Sequence, residues 1–174
     1  RYPEFLKLCV CGLFYQAGIA VVITLSAVYA QLVMKFTTAQ TITLILVVNI
    51  TAAIGAFVFG YVQDRLGHKK TLALTILLWI VMGVMAAFSQ GPVSFWIAAN
   101  IAGIAMGSSQ SAGRAVVAVF APAGELAQFY SAWNVAVWGA NVLGPITYGT
   151  VTWLTSGDQR TAILVTTLFF VIGL

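Results

Sequence analysis

The sequence predicts an all-α, polytopic membrane protein with six transmembrane helices, and three observations predict it. The first is the scarcity of charge: 7% of the 174 residues are charged and 61% are hydrophobic. A soluble domain carries roughly a quarter charged residues, and a chain of this size still exposes a large surface, so core burial does not absorb the shortfall. A lipid solvent does. The second observation is a series of uncharged runs of spanning length, separated by short polar breaks. The third is one compact charged stretch, Gly60-Tyr61-Val62-Gln63-Asp64-Arg65-Leu66-Gly67-His68-Lys69-Lys70, between two such runs. A short charged hinge between apolar helices belongs at a membrane surface, and its basic excess marks the cytoplasmic one. The net charge of +4 is small and scattered, which argues against a nucleic-acid partner and fits the cytoplasmic excess of a membrane protein.

The elements follow in order. Arg1-Tyr2-Pro3-Glu4 and Lys7 form a polar lead-in, and the absence of charge from Leu8 to Met34 predicts a first helix over about 8–31. Lys35 and Thr37-Thr38-Ala39-Gln40 mark a turn, and a second helix over 41–63 runs into the charged loop. Thr71 to Gly113 is uncharged and too long for one span; Ser89-Gln90-Gly91-Pro92 divides it into helices over 71–88 and 93–119. Ala121-Pro122-Ala123-Gly124-Glu125 is the next break. A fifth helix is expected over 127–154, with a kink at Gly144-Pro145, where proline removes a backbone donor. Thr155 to Arg160 closes it, and a sixth helix starts near Thr161 and runs to 174. The opening on Arg1, without methionine, is read as the start of a piece of a longer polypeptide.

Placing the Asp64–Lys70 loop inside and alternating puts Arg1, Lys7, Arg65, Lys69, Lys70 and Arg114 on the cytoplasmic side, against Lys35 and Arg160 outside. Both ends are then cytoplasmic. Small residues at four-residue spacing predict close helix packing: Ala99, Gly103, Gly107, Ser111 and Ala115 on helix four, and Ala52, Ala56 and Gly60 on helix two. Amides at membrane depth need a partner or a wet cavity. They are Gln16 beside Tyr15, Asn49, Asn100, Gln110, Asn134 and Asn141. Of these, Gln110 stands out, lying within Gly107-Ser108-Ser109-Gln110-Ser111 on a small-residue helix. Arg114, about a turn from the cytoplasmic face, is expected to pair with Asp64 or to extend its head to the surface.

An enzyme is not expected. The single histidine, His68, lies in the surface loop, so no serine–histidine pair forms at depth, and Cys9 and Cys11 are read as small packing residues. No metal-ligating cluster is present and no cofactor is implied. Glu4, Asp64, Glu125 and Asp158 all fall in loops or at helix ends, so this chain offers no carboxylate at membrane depth for proton coupling. A six-helix channel or an accessory membrane subunit is the alternative to a carrier.

The pattern Gly60-x-x-x-Asp64-Arg65-x-Gly67-x-Lys69-Lys70 resembles the signature loop of the major facilitator superfamily, which joins the second and third helices of each six-helix half. Gly107-Ser108-Ser109-Gln110-Ser111-x-x-Arg114, Phe129-Tyr130-Ser131, and Leu143-Gly144-Pro145 leading to Thr161-Ala162-Ile163-Leu164 resemble the second half of the bacterial relatives of the autophagy-linked vacuolar amino-acid effluxers. The resemblance runs from Leu6 to Leu174. One departure is that Gly113 and Ala115 flank the arginine where relatives often have serines.

The resemblance implies helices seven to twelve of a twelve-helix carrier in the bacterial inner membrane, whose partner is the N-terminal half of the same polypeptide. It implies that helices one and four line a central cavity, with Tyr15, Gln16, Asn100 and Gln110 as contacts to a small polar solute such as an amino acid, exported by rocking of the halves. Gly60, Asp64, Arg65, Gly67, Lys69, Lys70 and Arg114 would form a cytoplasmic latch.

Overall fold

The structure, a computed structural model, describes residues 2–174; Arg1, counted above among the cytoplasmic cations, lies outside the described residues. Six helices alternate in direction: α1 (Pro3–Leu32), α2 (Thr38–Leu66), α3 (His68–Phe88), α4 (Pro92–Phe120), α5 (Leu126–Leu154) and α6 (Gln159–Ile172), and no strand occurs among the described residues. By length and composition α1, α2 and α3 are apolar enough to cross a membrane. α4 and α5 are as long as α2, but serines and amides dilute their apolar character. α6 is a shorter apolar helix of 14 residues.

Local chemistry sets the helix ends. Proline stands in the first turn of both α1 and α4, where its missing N–H costs nothing. This draws α1 back to Pro3, so that the polar lead-in is helical, with Lys7 Nζ 2.8 Å from Glu4 Oε1. Thr37 and Gln40 form a reciprocal capping box at the start of α2. Asp158 caps α6 by accepting from the backbone N–H groups of Arg160 and Thr161.

The expected charged loop over Asp64–Lys70 is instead a one-residue joint. α2 continues through Leu66, α3 begins at His68, and Gly67 alone turns the chain at φ +82°. That left-handed conformation suits glycine because a Cβ would crowd the backbone. Gly67 donates its N–H to the Gln63 carbonyl at 2.9 Å and accepts from the Thr71 hydroxyl at 2.9 Å, so this one residue bonds to the last turn of α2 and the first turn of α3.

Two parallel helix pairs organise the bundle. α2 packs most extensively on α4 and α1 on α5, with α3 and α6 bridging them. In the first pair, a Cβ on Gly107 would collide with the backbone of Ala52 and Ala56, and one on Gly55 would lie 2.5 Å from the Ile104 carbonyl oxygen. In the second, a Cβ on Gly144 would collide with the Ala17 carbonyl. These are close backbone approaches of the kind that lets helices associate without a hydrophobic driving force. The expected α4 stripe does face α2, but Gly60 does not continue the match: nothing lies within 4 Å of a Cβ placed there. The close-approach glycine of α2 is Gly55, because the helices cross near it. The helix of α5 runs uninterrupted through Gly144-Pro145. At the centre, Trp79 of α3 stacks on Phe170 of α6 with centroids 5.2 Å apart, and its Nε1 donates to Ser109 Oγ at 3.2 Å.

Candidate functional site

A cavity of about 220 Å³ lies inside the bundle. α1 contributes Val21 through Tyr29, α2 Leu44 to Asn49, α3 Trp79, Met82 and Ala86, and α4 Phe95 to Met106, while Tyr148 and Ile163 close the far wall. The space exists because α1 and α2 touch little, whereas each is held hard against another helix. Its wall is almost wholly apolar and carries no charged residue; Ser26 and Asn49 are its only polar aliphatic side chains. Ile23, Ile45 and Asn49 on the rim are exposed.

One turn further along α4 the character changes. Met106 is the last α4 residue of the cavity, and Gln110, four residues or about 6 Å on, places its Nε2 3.5 Å from Gln16 Oε1 of α1. The structure therefore brings together two of the four expected contact residues. Their separation exceeds the roughly 2.7–3.2 Å of a well-formed N–H···O bond, so the amides meet without being locked. Gln16 is buried and Gln110 half-buried.

The other two are placed differently. Tyr15 is fully buried against Trp133, and its hydroxyl has no hydrogen-bond partner. In this conformation it presents no accessible surface. A Cβ on Gly113 would lie 2.7 Å from the Tyr15 hydroxyl oxygen, so a serine beside the arginine would need that hydroxyl to shift. Asn100 is half-buried, donates to the Trp96 carbonyl of its own helix at 2.8 Å, and does not line the cavity. Asn49 does line it. Sequence alone ranked Asn49 only among several amides and did not single out Ser26, since nothing local marks which face of α1 or α2 turns inward.

At the Gly67 end, the expected Asp64–Arg114 ion pair is not formed. The one ion pair among the described residues is Lys7–Glu4. Asp64, Arg65, Lys70 and Arg114 are all exposed, and nothing packs within 4 Å of the Gly60 Cβ position one turn before Asp64. What joins the helices here is weaker: Lys69 Nζ lies 4.9 Å over the Phe120 ring, Gln63 Nε2 approaches His68 Nδ1 at 2.5 Å, and Tyr130 donates to the Arg114 carbonyl at 2.9 Å. At the opposite end, Arg160 Nη2 donates to the Ser89 carbonyl at 2.7 Å, tying the start of α6 to the end of α3. The Asp158 carboxyl beside it is held below the usual carboxylate range, first by the Thr161 hydroxyl and backbone N–H and then by Arg160.

The family model described as "Vacuole effluxer Atg22 like" matches residues 1–174. The chain belongs to this vacuole-effluxer-like family. Among individual relatives, an MFS-type transporter of Bacillus subtilis is 26% identical over 174 residues, all of this chain and 40% of that protein. A Haemophilus influenzae protein named for metabolite transport is 35% identical over 133 residues, 74% of this chain and 32% of that protein. A Cupriavidus pinatubonensis protein named for 4-methylmuconolactone transport is 32% identical over 69 residues, 40% of this chain and 16% of its own length. The chain thus spans well under half the length of these relatives. All are named as transporters and none as an enzyme, and with the apolar helices they make this an integral membrane protein of the major-facilitator type.

Proposed function

We propose that this chain is the C-terminal six-helix half of a secondary carrier that moves a small polar solute, with amino acids the leading class, across the bacterial inner membrane by alternating access. The observation that carries the reading is the Gln16–Gln110 pair: two amides from α1 and α4, met at mid-bundle at 3.5 Å and free to exchange each other for a solute. All six helices span in this reading. α2, with 29 residues, rises about 44 Å, more than the ~30 Å hydrocarbon core, so that it tilts or projects its charged end into the headgroups. The basic Gly67 end lies in the cytoplasm, and the N-terminal half of the longer polypeptide covers the open side of the amide pair.

In this reading Gln16 and Gln110 touch the solute, Asn100 joins them as α4 tilts, and Tyr15 fixes the α1 side chain beside it. Gly60, Asp64, Arg65, Gly67, Lys69, Lys70 and Arg114 form the latch toward the other half. Among the described residues their charges make no ion pair, which supports partners across the interface. Gly144 and Pro145 provide the point at which α5 crosses α1 and flexes.

The test is flux of labelled amino acids through the full-length protein in proteoliposomes, wild type beside Gln110→Ala. Loss of a transition-state contact worth about 1.4 kcal/mol appears as a tenfold drop. Flux unchanged by the substitution reduces the amide pair to packing, and absence of any solute flux moves the reading to an accessory subunit.

A further inference from the structure

The cavity beside the amide pair has a chemistry of its own, and we propose that it receives an uncharged ring: the neutral aromatic or alicyclic part of a solute, oriented by a hydrogen-bond donor placed against Asn49. The inference rests on the carrier reading for why a solute enters the bundle, and it narrows the class of that solute.

Size comes first. The cavity holds about 220 Å³, and an apolar cavity of about 150 Å³ is enough to take up benzene. One ring with a short substituent therefore fits. Charge comes second. No residue on the wall carries a charge, and an isolated carboxylate or ammonium group entering an apolar space is strongly disfavoured without a paired ion. A charged head is thus kept out of this space and a neutral ring is not. Polarity comes third. Asn49 Nδ2 is committed to the Ile45 carbonyl at 2.8 Å, while its Oδ1 accepts nothing among the described residues. Beside the Ser26 hydroxyl on the wall, Asn49 thus offers an open amide acceptor at the rim, which suits an N–H or O–H donor on the ring. The buried floor is aromatic and soft, with Trp79, Met82 and Phe95 beneath the small side chains of Ala98 and Ala102. Those two alanines keep the space open: a leucine at Ala102 would fill it from the α4 side.

Benzamide is the probe, being neutral, monocyclic and an N–H donor. Benzoate differs from it by charge and propionamide by lacking the ring. The measurement is equilibrium binding of each labelled compound to the full-length protein in nanodiscs. Saturable benzamide binding is expected, with benzoate and propionamide at least ~10-fold weaker. Ala102→Leu should weaken benzamide by at least ~10-fold. Asn49→Leu, on the exposed rim where folding is not at stake, should weaken it by about threefold or more, the effect of one neutral hydrogen bond. Absence of saturable benzamide binding, equal binding of benzoate, or wild-type affinity in Asn49→Leu would each overturn the proposal. So would a lipid acyl chain that is retained through purification by the wild type, lost in Ala102→Leu, and not displaced by benzamide. Because this is a binding measurement, it fails independently of the flux test: amino-acid transport that needs Gln110, with no benzamide binding, removes the ring pocket and leaves the carrier standing.

Discussion

The two ends of the bundle are built on opposite principles. At the Ser89 end the helix ends are tied by side-chain hydrogen bonds, most of them to backbone. Arg160 bonds the Ser89 carbonyl, Tyr29 bonds the Ala86 carbonyl at 2.9 Å, Tyr148 bonds Gln159 at 2.6 Å, and Asp158 and the Thr37–Gln40 box cap two helix starts. At the Gly67 end the cations outnumber their partners, nothing packs against Gly60, and the ties are a cation over a ring and a few exposed hydrogen bonds. The first end spends its polar groups internally. The second leaves Asp64, Arg65, Lys70 and Arg114 open to whatever approaches the bundle from outside. Under the proposed function, a half-carrier that rocks against its partner needs one end that keeps its helices in register and another whose charges answer to the partner.

The comparison can be broken most directly at Arg160. A hydrogen bond from a charged donor is worth about 1.5–3 kcal/mol, and Arg160 is half-buried with its carbonyl partner at 2.7 Å. Arg160→Ala is expected to destabilise the full-length protein by about 2 kcal/mol, read as a fall in melting temperature in detergent. A loss no larger than that of an exposed arginine would mean that the Ser89 end is not held by this tie.

A smaller effect is expected at the one specific contact of the Gly67 end that joins α3 to α4. Exposed cation–π pairs contribute about 0.5–1 kcal/mol. Lys69→Ala should therefore cost under about 1 kcal/mol, while Lys69→Arg, which keeps a cation above Phe120, should recover most of it. Stability unchanged in Lys69→Ala would remove the pair from the account and make this end looser still.

How much of this was legible in the sequence divides along the same line between local and assembled features. The helix breaks were, because Gly91-Pro92, Pro122 and the Asp158 turn act on their own backbone. The Gly67 joint was mis-sized because charge is a guide to solvent, not to hydrogen bonding. Arg65 suits the last turn of α2. His68, Lys69 and Lys70 sit at the unfavourable start of α3, yet the turn bonded through Thr71 forms regardless. A stripe of small residues announced the α2–α4 contact but not its crossing point, and so favoured Gly60 over Gly55. The Gln16–Gln110 pair was reachable, since amides at depth seek partners. The cavity was not, because its wall is drawn from all six helices and no single stretch carries its pattern.

The smallest stability effect is expected where the functional effect should be largest. Asp64 and Arg114 are exposed and unpaired among the described residues, and substitutions at such sites usually change stability by less than about 0.5 kcal/mol. Asp64→Asn and Arg114→Ala should therefore melt within that margin of the wild type, well short of Arg160→Ala. If the two serve as a latch toward the other half, each should nonetheless slow transport in proteoliposomes, because the contact they lose exists in only one state of the cycle. Partners that lie in the other half predict in addition that exchanging the two charges within this chain restores nothing. Recovery of flux by the double exchange would mean that Asp64 and Arg114 find each other during transport, and that their unpaired arrangement here belongs to one state of the cycle alone.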